Sequence, residues 1–513
     1  MLTPNGLPAN KLEKVMLLAL WANTLKEEAT DSNPAITKKL IFAGLGKPTY
    51  PINSKTVASY LSYWQKINDS LSANDEGLNS AIDYGDPRGD LEPRTSMAVS
   101  MSAWYESEIN PEHILFTVGG IGALRVIFET FNTLYADTPG YRIITPFPYY
   151  SAYSNNPMHR LHPIHVMNEQ GYRLTARALA ESIQEAYALA KNDNGLPKAV
   201  LICNPSNPLG TIIDEIELKK IADVLRDYPD LYIIFDEAYI EMSYAPTPSF
   251  LKIAPDLKER ILILRSATKA LSAAGERMAL LMVFESFLMN ELLNKNISYF
   301  VHAPRSAQIA YAYTMAHFDE AEKKRLASYY QSKVDYVLRR LHAMGAAMPD
   351  PLYHVEATFY ALANLSDLFG LELPNDALRA LQKAGPVSTD EELAYYLLFT
   401  DRIMVAPLSY FGLARNSGLV RITCSGNEGE LCELMDRIEQ RLFAARKSKQ
   451  VALEELVLRQ LERIKTIDKP LYTVLNREIS YLQSERDNCL TLKAKIHLLK
   501  AIQFELYSKT LTI

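Results

Sequence analysis

At 513 residues the chain is longer than one ordinary domain, and its 48% hydrophobic and 22% charged residues supply a large core, which excludes global disorder. The 54 basic and 60 acidic residues leave a net charge of -6, which gives no basic field for nucleic acid as the main partner. The scattered cysteines predict neither a disulfide scaffold nor a metal site, and they are Cys203, Cys424, Cys432 and Cys489.

Residues 1–60 form a first segment that contains the apolar run VMLLALWA at 15–22. This run follows Lys11 and Lys14 and could be the core of a signal peptide, but Glu13 lies between the lysines and no small-residue cleavage site follows. We therefore favour a buried or amphipathic helix and expect a cytoplasmic protein. No apolar run approaches the ~18 residues of a membrane span, so we expect no membrane partner.

From about 61 to 330, short apolar runs alternate with longer helical patterns. The runs that predict strands are HILFTV at 113–118, RIITPF at 142–147, AVLICNP at 199–205, LYIIFDEAY at 231–239 and RILILRS at 260–266. Continuous apolar strands separated by helices predict a buried, mostly parallel sheet that is covered on both faces, in a large α/β domain.

The pattern changes after residue 330. Between 331 and 445 a long helical period precedes the strand-like runs EATFYALANL, RIMVAPLSYFG and LVRITCSG, which is typical of a smaller α+β domain. Residues 446–513 repeat leucine and isoleucine every three or four positions and predict a helical extension that is broken at Asp468-Lys469-Pro470. Helices that pack on the small domain or on the dimer are favoured for this extension of unknown role, with a regulatory module as the alternative.

Ligands of parallel sheets bind beyond the carboxyl ends of the strands, so the residues that follow each strand are the candidates. After HILFTV come Gly119, Gly120 and Gly122, and a helix is predicted to start at Ala123. The free N–H groups of such a helix start suit an anion. On its own, however, a glycine turn of this kind is more often a plain tight turn.

The next two strands end in an amide and in an acid. Asn207 lies in NPSNPLG, where two Asn-Pro steps hold a rigid loop and the amide can donate to a ligand oxygen, although a lone Asn-Pro is usually a capped turn. Asp236 ends an apolar strand, where burial would raise its pKa unless a cation faces it, and Tyr239 can reach the same space. An aspartate that caps the next helix is an equal alternative.

After RILILRS, Lys269 lies among hydroxyl residues and Arg277 follows eight residues later. A desolvated lysine there could be nucleophilic, but a single lysine at such a place is mostly solvated. The order of the motifs is more informative: an anion cradle, an amide, an acid with a tyrosine, and a lysine with an arginine. A cofactor with a phosphate, a ring hydroxyl, a ring nitrogen and an aldehyde needs that set, which describes pyridoxal 5′-phosphate (PLP).

At these residues the chain resembles the class I/II PLP-dependent aminotransferases of fold type I, which are aspartate aminotransferase-like. The resemblance covers about residues 40–440 and rests on YGDPRG at 84–89, NPSNPLG at 204–210, DEAY at 236–239, SATK at 266–269 with Arg277, and LVRIT at 419–423. It implies an α/β fold with a large domain at 61–330, built on a mostly parallel seven-stranded sheet covered by helices. It also implies a smaller α+β domain at 331–445, which residues 1–60 join. The helical extension at 446–513 follows this domain.

The resemblance also implies roles. Lys269 is the lysine that binds the cofactor aldehyde covalently and later moves a proton from the substrate. Asp236 pairs with the ring nitrogen, while Asn207 and Tyr239 hydrogen-bond the ring hydroxyl, and Asn207 also lies at the substrate. The residues implied for the phosphate are Ser266, Arg277 and the N–H groups of Gly120 and Ile121.

Further implied positions lie outside these strand ends. Phe147 is where the family stacks an aromatic ring on the cofactor, with Tyr150 as the fallback. Tyr84 resembles the tyrosine that reaches the phosphate of a neighbouring subunit, which implies a homodimer. Arg421 matches the arginine that clamps the substrate carboxylate, and Gly46 falls near the turn that closes over the substrate.

The chain departs from the family pattern at several positions. Gly119 stands where many relatives have a hydroxyl on the phosphate, and Ala279 stands where glycine is usual. No arginine lies between Ser286 and Pro304, where the aspartate-specific branch carries the partner of the distal carboxylate, and Arg305 lies just beyond. A dicarboxylate substrate is therefore less expected.

We predict an aminotransferase that moves an amino group between an L-amino acid and a 2-oxo acid, with a role in amino acid metabolism and biosynthesis. A PLP-dependent lyase remains an alternative, either 1-aminocyclopropane-1-carboxylate synthase-like or a decarboxylase, because NPSNPLGT at 204–211 also occurs in those synthases. A non-catalytic interaction protein is the third alternative, and the retained lysine, acid and arginines argue against it.

Overall fold

The computed structural model describes residues 1–9, 12–31, 38–72, 83–156, 158–465, 469–484, 496–497 and 499–504. Cys489 and most of the helical pattern predicted after residue 484 lie outside these residues. Within the described part of the chain, no helix is long and apolar enough to cross a bilayer.

The centre of the molecule is a seven-stranded sheet with the strand order β2-β8-β7-β6-β5-β3-β4. All neighbouring pairs are parallel except those of β8, which runs antiparallel to β2 and β7. The strands are β2 (Ile114–Val118), β3 (Tyr141–Pro146), β4 (His159–Ile164), β5 (Pro197–Cys203), β6 (Tyr232–Asp236), β7 (Ile261–Ser266) and β8 (Met278–Val283). This confirms the predicted mostly parallel, seven-stranded α/β sheet.

Both faces of this sheet are buried, because alternate residues of one strand belong to two separate apolar clusters. Ile233 of β6 packs in one cluster and Ile234 in the other. Ile263 and Leu264 of β7 divide in the same way. This explains why the central strands are continuous apolar runs and do not alternate with polar residues.

Helices cover the sheet and build the rest of the molecule. In the described residues they are α1 (Lys14–Asp31), α2 (Ser54–Ser72), α3 (Leu91–Tyr105), α4 (Gly119–Leu134), α5 (Ala176–Asp193), α6 (Glu215–Arg226), α7 (Phe250–Ile253), α8 (Ser286–Phe300), α9 (Arg305–Ala316), α10 (Glu320–Ala343), α11 (Asn375–Leu381), α12 (Asp390–Asp401), α13 (Glu428–Lys465) and α14 (Lys469–Ser484). The apolar run at 15–22 lies in α1, where Leu17, Leu18 and Ala22 are buried in the main core. Met16 and Leu20 of the same run are exposed, so the prediction of a buried or amphipathic helix there is confirmed.

Two small sheets complete the fold. One is antiparallel, with the order β11 (Ala406–Pro407), β12 (Leu419–Thr423) and β9 (Tyr360–Asn364). The other pairs β1 (Ile41–Phe42) in parallel with β10 (Ile403–Met404), so the N-terminal segment is hydrogen-bonded to the C-terminal part of the chain. The proposed domain boundaries remain a prediction, although α13 continues without a break across residue 446.

Four elements differ from the sequence prediction. The strands β1, β4 and β8 had no predicted counterpart, and β1 has only two residues. The edge strand β4 is half exposed and contains a proline, and β8 (MALLMV) has a single β-branched residue. The helix α4 begins at Gly119 and not at Ala123. Glycine is favoured at this first position because Gly119 has a φ of +69°, which residues with a Cβ atom rarely adopt.

Candidate active site

The ends of three neighbouring parallel strands place the predicted motifs side by side. In the sheet register Cys203 of β5 lies opposite Asp236 of β6, and Asp236 lies opposite Leu264 of β7. The NPSNPLG, DEAY and SATK loops therefore leave the sheet at one edge, around a cavity of about 110 Å³. Of the predicted residues, those that line the cavity are Gly120, Ile121, Tyr150, Asn207, Asp236, Tyr239, Ser266, Lys269 and Arg277.

Asp236 is a buried carboxylate with only neutral partners. It is 5% exposed, accepts a 2.6 Å hydrogen bond from the hydroxyl of Tyr153, and accepts one of 3.2 Å from the N–H of Ala238. Burial raises its pKa, and no arginine or lysine of the described residues forms an ion pair with it. Such a carboxylate is suited to a positively charged group that a ligand brings.

Lys269 lies in the turn that follows β7, and its side chain is half buried. The Nζ atom donates a 2.6 Å hydrogen bond to the carbonyl oxygen of Gly46. This contact joins the carboxyl ends of the strands to the GLGKP turn at residues 44–48, and the two bonded residues are 223 positions apart in the chain. The amine therefore lies between the cavity and the turn that was predicted to close over a substrate.

The start of α4 and the guanidinium of Arg277 form the cationic end of the cavity. Gly119 has a φ of +69°, and a Cβ atom on it would lie 2.6 Å from Nη2 of Arg277. A side chain at 119 would require the guanidinium to move, and the positive φ also favours glycine there. Ser266 adds a hydroxyl that lies 2.7 Å from the hydroxyl of Thr268, also at the cavity.

Asn207 and Tyr239 present an amide and a phenol to the cavity. The Asn207 Nδ2 atom donates to the Tyr239 hydroxyl at 3.4 Å, and that hydroxyl lies 2.9 Å from the hydroxyl of Tyr360. Burial and the neighbouring Tyr360 raise the pKa of Tyr239 well above its usual value. Tyr239 therefore stays protonated and can donate a hydrogen bond to a ligand oxygen.

Arg421, on β12, does not line the cavity but is joined to it through Asn207. Its Nη1 atom donates to Oδ1 of Asn207 at 2.9 Å, and Nη2 donates to the Gly44 carbonyl at 2.9 Å. The guanidinium carbon lies 4.0 Å from the ring centroid of Tyr360 and 4.7 Å from that of Phe411. Its buried Nε atom has no partner, so a donor is available for a ligand carboxylate.

Two predicted cofactor residues do not lie at this cavity. Phe147 packs on Tyr149, with ring centroids 4.6 Å apart, and next to Gly412, so the fallback Tyr150 and not Phe147 lines the cavity. Tyr84, which was predicted for the phosphate of a neighbouring subunit, is 80% exposed, contacts His302 edge to face at 6.0 Å and does not line the cavity of its own chain.

Arg305, the arginine considered for a distal carboxylate, is engaged elsewhere. Its Nε atom donates to Asp90 Oδ2 at 2.7 Å. This ion pair lies beside the YGDPRG loop, and Arg305 does not line the cavity. Within its own chain, Arg305 therefore lies away from the cavity.

The sequence reasoning assigned no role to three residues of this region. Thr268 lies inside the SATK motif and was available as a hydroxyl next to the lysine. Tyr153 follows Tyr150 by three residues, but its bond to Asp236 required the fold. Tyr360 had no local signal, because its contact with Tyr239 joins residues 121 positions apart.

The residues fit PLP on four independent observations: a cationic helix start, a protonated phenol with an amide, a buried carboxylate without a cation, and a lysine amine, all at one cavity. A phosphate, a ring hydroxyl, a ring nitrogen and an aldehyde correspond to them in that order.

Comparisons with known proteins agree with this fit. A family model described as "Aminotransferase class I and II" matches residues 54–438. An aspartate aminotransferase of Pinus pinaster is 23% identical over 71% of this chain and 69% of the relative. A 1-aminocyclopropane-1-carboxylate synthase of Solanum lycopersicum is 29% identical over 44% of this chain and 48% of the relative. A double mutant of Thermus thermophilus aspartate aminotransferase has the same fold, with a TM-score of 0.66, 18% identity, and coverage of 84% of this chain and 97% of that one.

Proposed function

Because this chain belongs to the class I and II aminotransferase family, whose members use PLP, we propose that it moves an amino group between an L-amino acid and a 2-oxo acid. The observation that carries the proposal is the cavity shared by Lys269, Asp236 and the cationic helix start. When bound, PLP supplies an aldehyde that captures amines and a ring that withdraws electrons from the bonds at the substrate Cα.

In this proposal each part of the cavity holds one part of the cofactor. Asp236 keeps a proton on the ring nitrogen, since its buried charge lacks any other cation. Tyr239 and Asn207 donate to the ring hydroxyl. The phosphate is held by Ser266, Arg277 and the N–H groups of Gly120 and Ile121, and Tyr150 is placed to contact the ring.

Lys269 and Arg421 act on the substrate. Arg421 binds the α-carboxylate through its free Nε atom and the neighbouring Nη donors, a geometry that suits guanidinium. Lys269 Nζ takes the proton from the substrate Cα as general base, and it leaves its hydrogen bond to Gly46 to do so.

A lyase of the same fold is the second candidate, because a relative named 1-aminocyclopropane-1-carboxylate synthase 2 is 29% identical over 44% of this chain. The residues that would hold the cofactor serve either reaction. The products separate the two: a transaminase releases a 2-oxo acid, whereas a lyase of this kind releases a product that keeps its amino group, or CO₂.

The decisive experiment is a visible absorption spectrum of the purified holoenzyme, recorded before and after adding each L-amino acid. We expect one group of amino acids to convert the cofactor to its amine form and to release the matching 2-oxo acid, identified by mass spectrometry. The conversion should be lost in Lys269→Ala. A cofactor spectrum that no amino acid converts, together with a product that retains its amine, would overturn the transaminase proposal in favour of the lyase.

We also propose that the active form is a homodimer. Tyr84 is exposed, and so are apolar side chains of α2 and α3, namely Leu61, Trp64, Leu91 and Val99. If Tyr84 completes the phosphate site of a partner copy, mixing two inactive variants, Tyr84→Ala and Lys269→Ala, should restore part of the activity through hybrid dimers. Light scattering that gives a monomer mass for the active holoenzyme would contradict the dimer.

A cytoplasmic location is proposed as well, because the apolar run at 15–22 packs in the core as part of α1. Cell fractionation with an antibody to the native chain tests it. Recovery of the protein in an extracellular or membrane fraction would contradict it.

A further inference from the structure

Tyr360 connects two parts of the site that are far apart in the sequence. It is the first residue of β9 and is 1% exposed. Its hydroxyl lies 2.9 Å from the hydroxyl of Tyr239, and its ring lies under the guanidinium of Arg421 at 4.0 Å. One side chain thus contacts a donor at the cofactor ring and the arginine at the substrate end.

The GLGKP turn makes a third contact with the same side chain. A Cβ atom on Gly46 would lie 2.1 Å from the hydroxyl oxygen of Tyr360, so only glycine allows the turn to lie this close. In this position the carbonyl oxygen of Gly46 accepts a hydrogen bond from the amine of Lys269, and the carbonyl oxygen of Gly44 accepts one from the guanidinium of Arg421. Tyr360 is therefore packed against the residues that hold both cationic groups.

We propose that Tyr360 is a positioning residue that couples the carboxylate clamp at Arg421 to the hydrogen-bond donor at the cofactor ring. The inference rests on the proposed function, since it assumes that PLP and a carboxylate substrate bind here. The aromatic ring of Tyr360 orients the guanidinium of Arg421, whose Nε atom stays free. The hydroxyl of Tyr360 forms a hydrogen bond with the hydroxyl of Tyr239.

The hydroxyl contact has an electrostatic consequence. When Tyr239 donates its proton to the ring oxygen of the cofactor, its own oxygen can accept the proton of Tyr360. A donor that is itself polarised by a second hydrogen bond is stronger, in a buried site above all. A stronger donor favours the negatively charged ring oxygen, and this lowers the pH at which the bound cofactor loses its proton.

The ring contact has a separate consequence at the substrate end. A desolvated cation over an aromatic face is stabilised more than an exposed one. Arg421 is packed between Tyr360 and Phe411, and Phe411 has no hydrogen bond to Tyr239. The two rings thus separate the two effects, since Tyr360 contributes to both and Phe411 contributes to the stacking alone.

The test uses the full-length holoenzyme and the variants Tyr360→Phe, Tyr360→Leu and Phe411→Leu. The first readout is the pH midpoint of the change in the visible absorbance of the bound cofactor. The second is the half-saturating concentration of propionate, which carries a carboxylate but no amine, followed by the same absorbance. Thermal unfolding of each apoenzyme shows whether a variant folds.

We expect Tyr360→Phe to raise the absorbance midpoint by about 0.3 pH unit, because the hydroxyl is lost and the ring is kept. Tyr360→Leu should have the same raised midpoint as Tyr360→Phe. Its half-saturating propionate concentration should be about tenfold higher than that of Tyr360→Phe, because the ring is lost too. Phe411→Leu should also need more propionate and should keep the wild-type midpoint. If Tyr360 had only a structural role, its variants would have a lower unfolding temperature but the wild-type absorbance midpoint and the wild-type half-saturating propionate concentration.

The coupling is overturned if Tyr360→Phe titrates at the wild-type midpoint, or if Tyr360→Leu binds propionate as tightly as Tyr360→Phe. Failure of the proposed function looks different. In that case the wild-type holoenzyme releases no 2-oxo acid from any amino acid, while its absorbance midpoint and propionate binding still decide the role of Tyr360.

Discussion

The two halves of the site are assembled by different means. On the sheet side, Asp236, Ser266 and Lys269 follow the ends of neighbouring parallel strands, and the register of the sheet alone brings them together. On the other side, Gly44 and Arg421 meet across 377 positions, and Gly46 and Lys269 across 223. Strand pairing therefore positions one half, whereas the packing of a turn against a small sheet positions the other.

This difference predicts where each half is vulnerable. In the sheet half, ladder hydrogen bonds hold the backbone at the strand ends, so the largest effects on the reaction should come from loss of a functional group. The other half depends on close approach at a glycine turn, so an added methyl group there should be as harmful as the loss of a functional group elsewhere.

The largest expected effect belongs to the sheet half. Lys269→Ala should lower the rate of amino group transfer by about 10⁴-fold, because the general base is lost. The matched control is Lys219→Ala on the surface of α6, which should stay within about twofold of wild type. Stopped-flow absorbance with the best amino acid measures both. A comparable loss in the control would indicate misfolding and not chemistry.

The next effect tests the buried carboxylate of the same half. Asp236→Asn should slow the half-reaction by about 10²-fold, since the amide cannot pair with a cationic ring nitrogen as the carboxylate does. Asp256→Asn, which removes a surface partner of Arg226, serves as the control and should change little. Equal rates for Asp236→Asn and wild type would show that the carboxylate has no part in the reaction.

The third prediction concerns the turn. Gly46→Ala would place a Cβ atom 2.1 Å from the Tyr360 hydroxyl, and we expect a loss of about 3 kcal/mol in the free energy of unfolding, or an equivalent shift of the turn with weaker carboxylate binding. Gly275→Ala is the matched control, because a Cβ atom there has open space. Urea unfolding of both apoenzymes makes the comparison. If both variants unfold like wild type and bind propionate equally, the close approach at the turn does not matter.

The smallest expected effect is on stability and concerns Glu237, the residue that follows β6. Its carboxylate accepts from Tyr105, near Arg265 and Glu241, and burial raises its pKa to about 7. The folded protein thus binds a proton that the unfolded chain releases near pH 4.5, so stability falls as the pH rises from about 4.5 to 7.

Glu237→Gln should remove this loss. From pH 5 to pH 8, the free energy of unfolding of wild type should fall by on the order of 2 kcal/mol more than that of the variant, because one pKa unit corresponds to about 1.4 kcal/mol. Urea unfolding at both pH values gives the difference. An unchanged pH dependence would show that Glu237 is ionised in the folded protein at neutral pH.

Much of the sheet half was predictable, for a local reason. The apolar strands and the residues that follow them, Asn207, Asp236 and Lys269, can be recognised from short stretches of sequence. Parallel strands have their carboxyl ends on the same side of the sheet, so these residues were expected to lie close together. The aromatic wall was less predictable: Phe147 and Tyr150 are three residues apart, and only the path of the chain after β3 decides which one faces the cavity. Tyr84 could be recognised as a motif residue, and its reach to a neighbouring subunit stays a prediction.

The amino-acid sequence by itself determined five of the seven strands of the central sheet, most residues of the cofactor site and the helix α1, because each depends on patterns of neighbouring residues. The tertiary structure alone decided that Tyr360 lies between Tyr239, Gly46 and Arg421, and that Gly119 leaves room for Arg277. Those contacts join segments that have no shared periodicity. They form only because burying the apolar faces of the small sheet and the N-terminal segment brings the segments together.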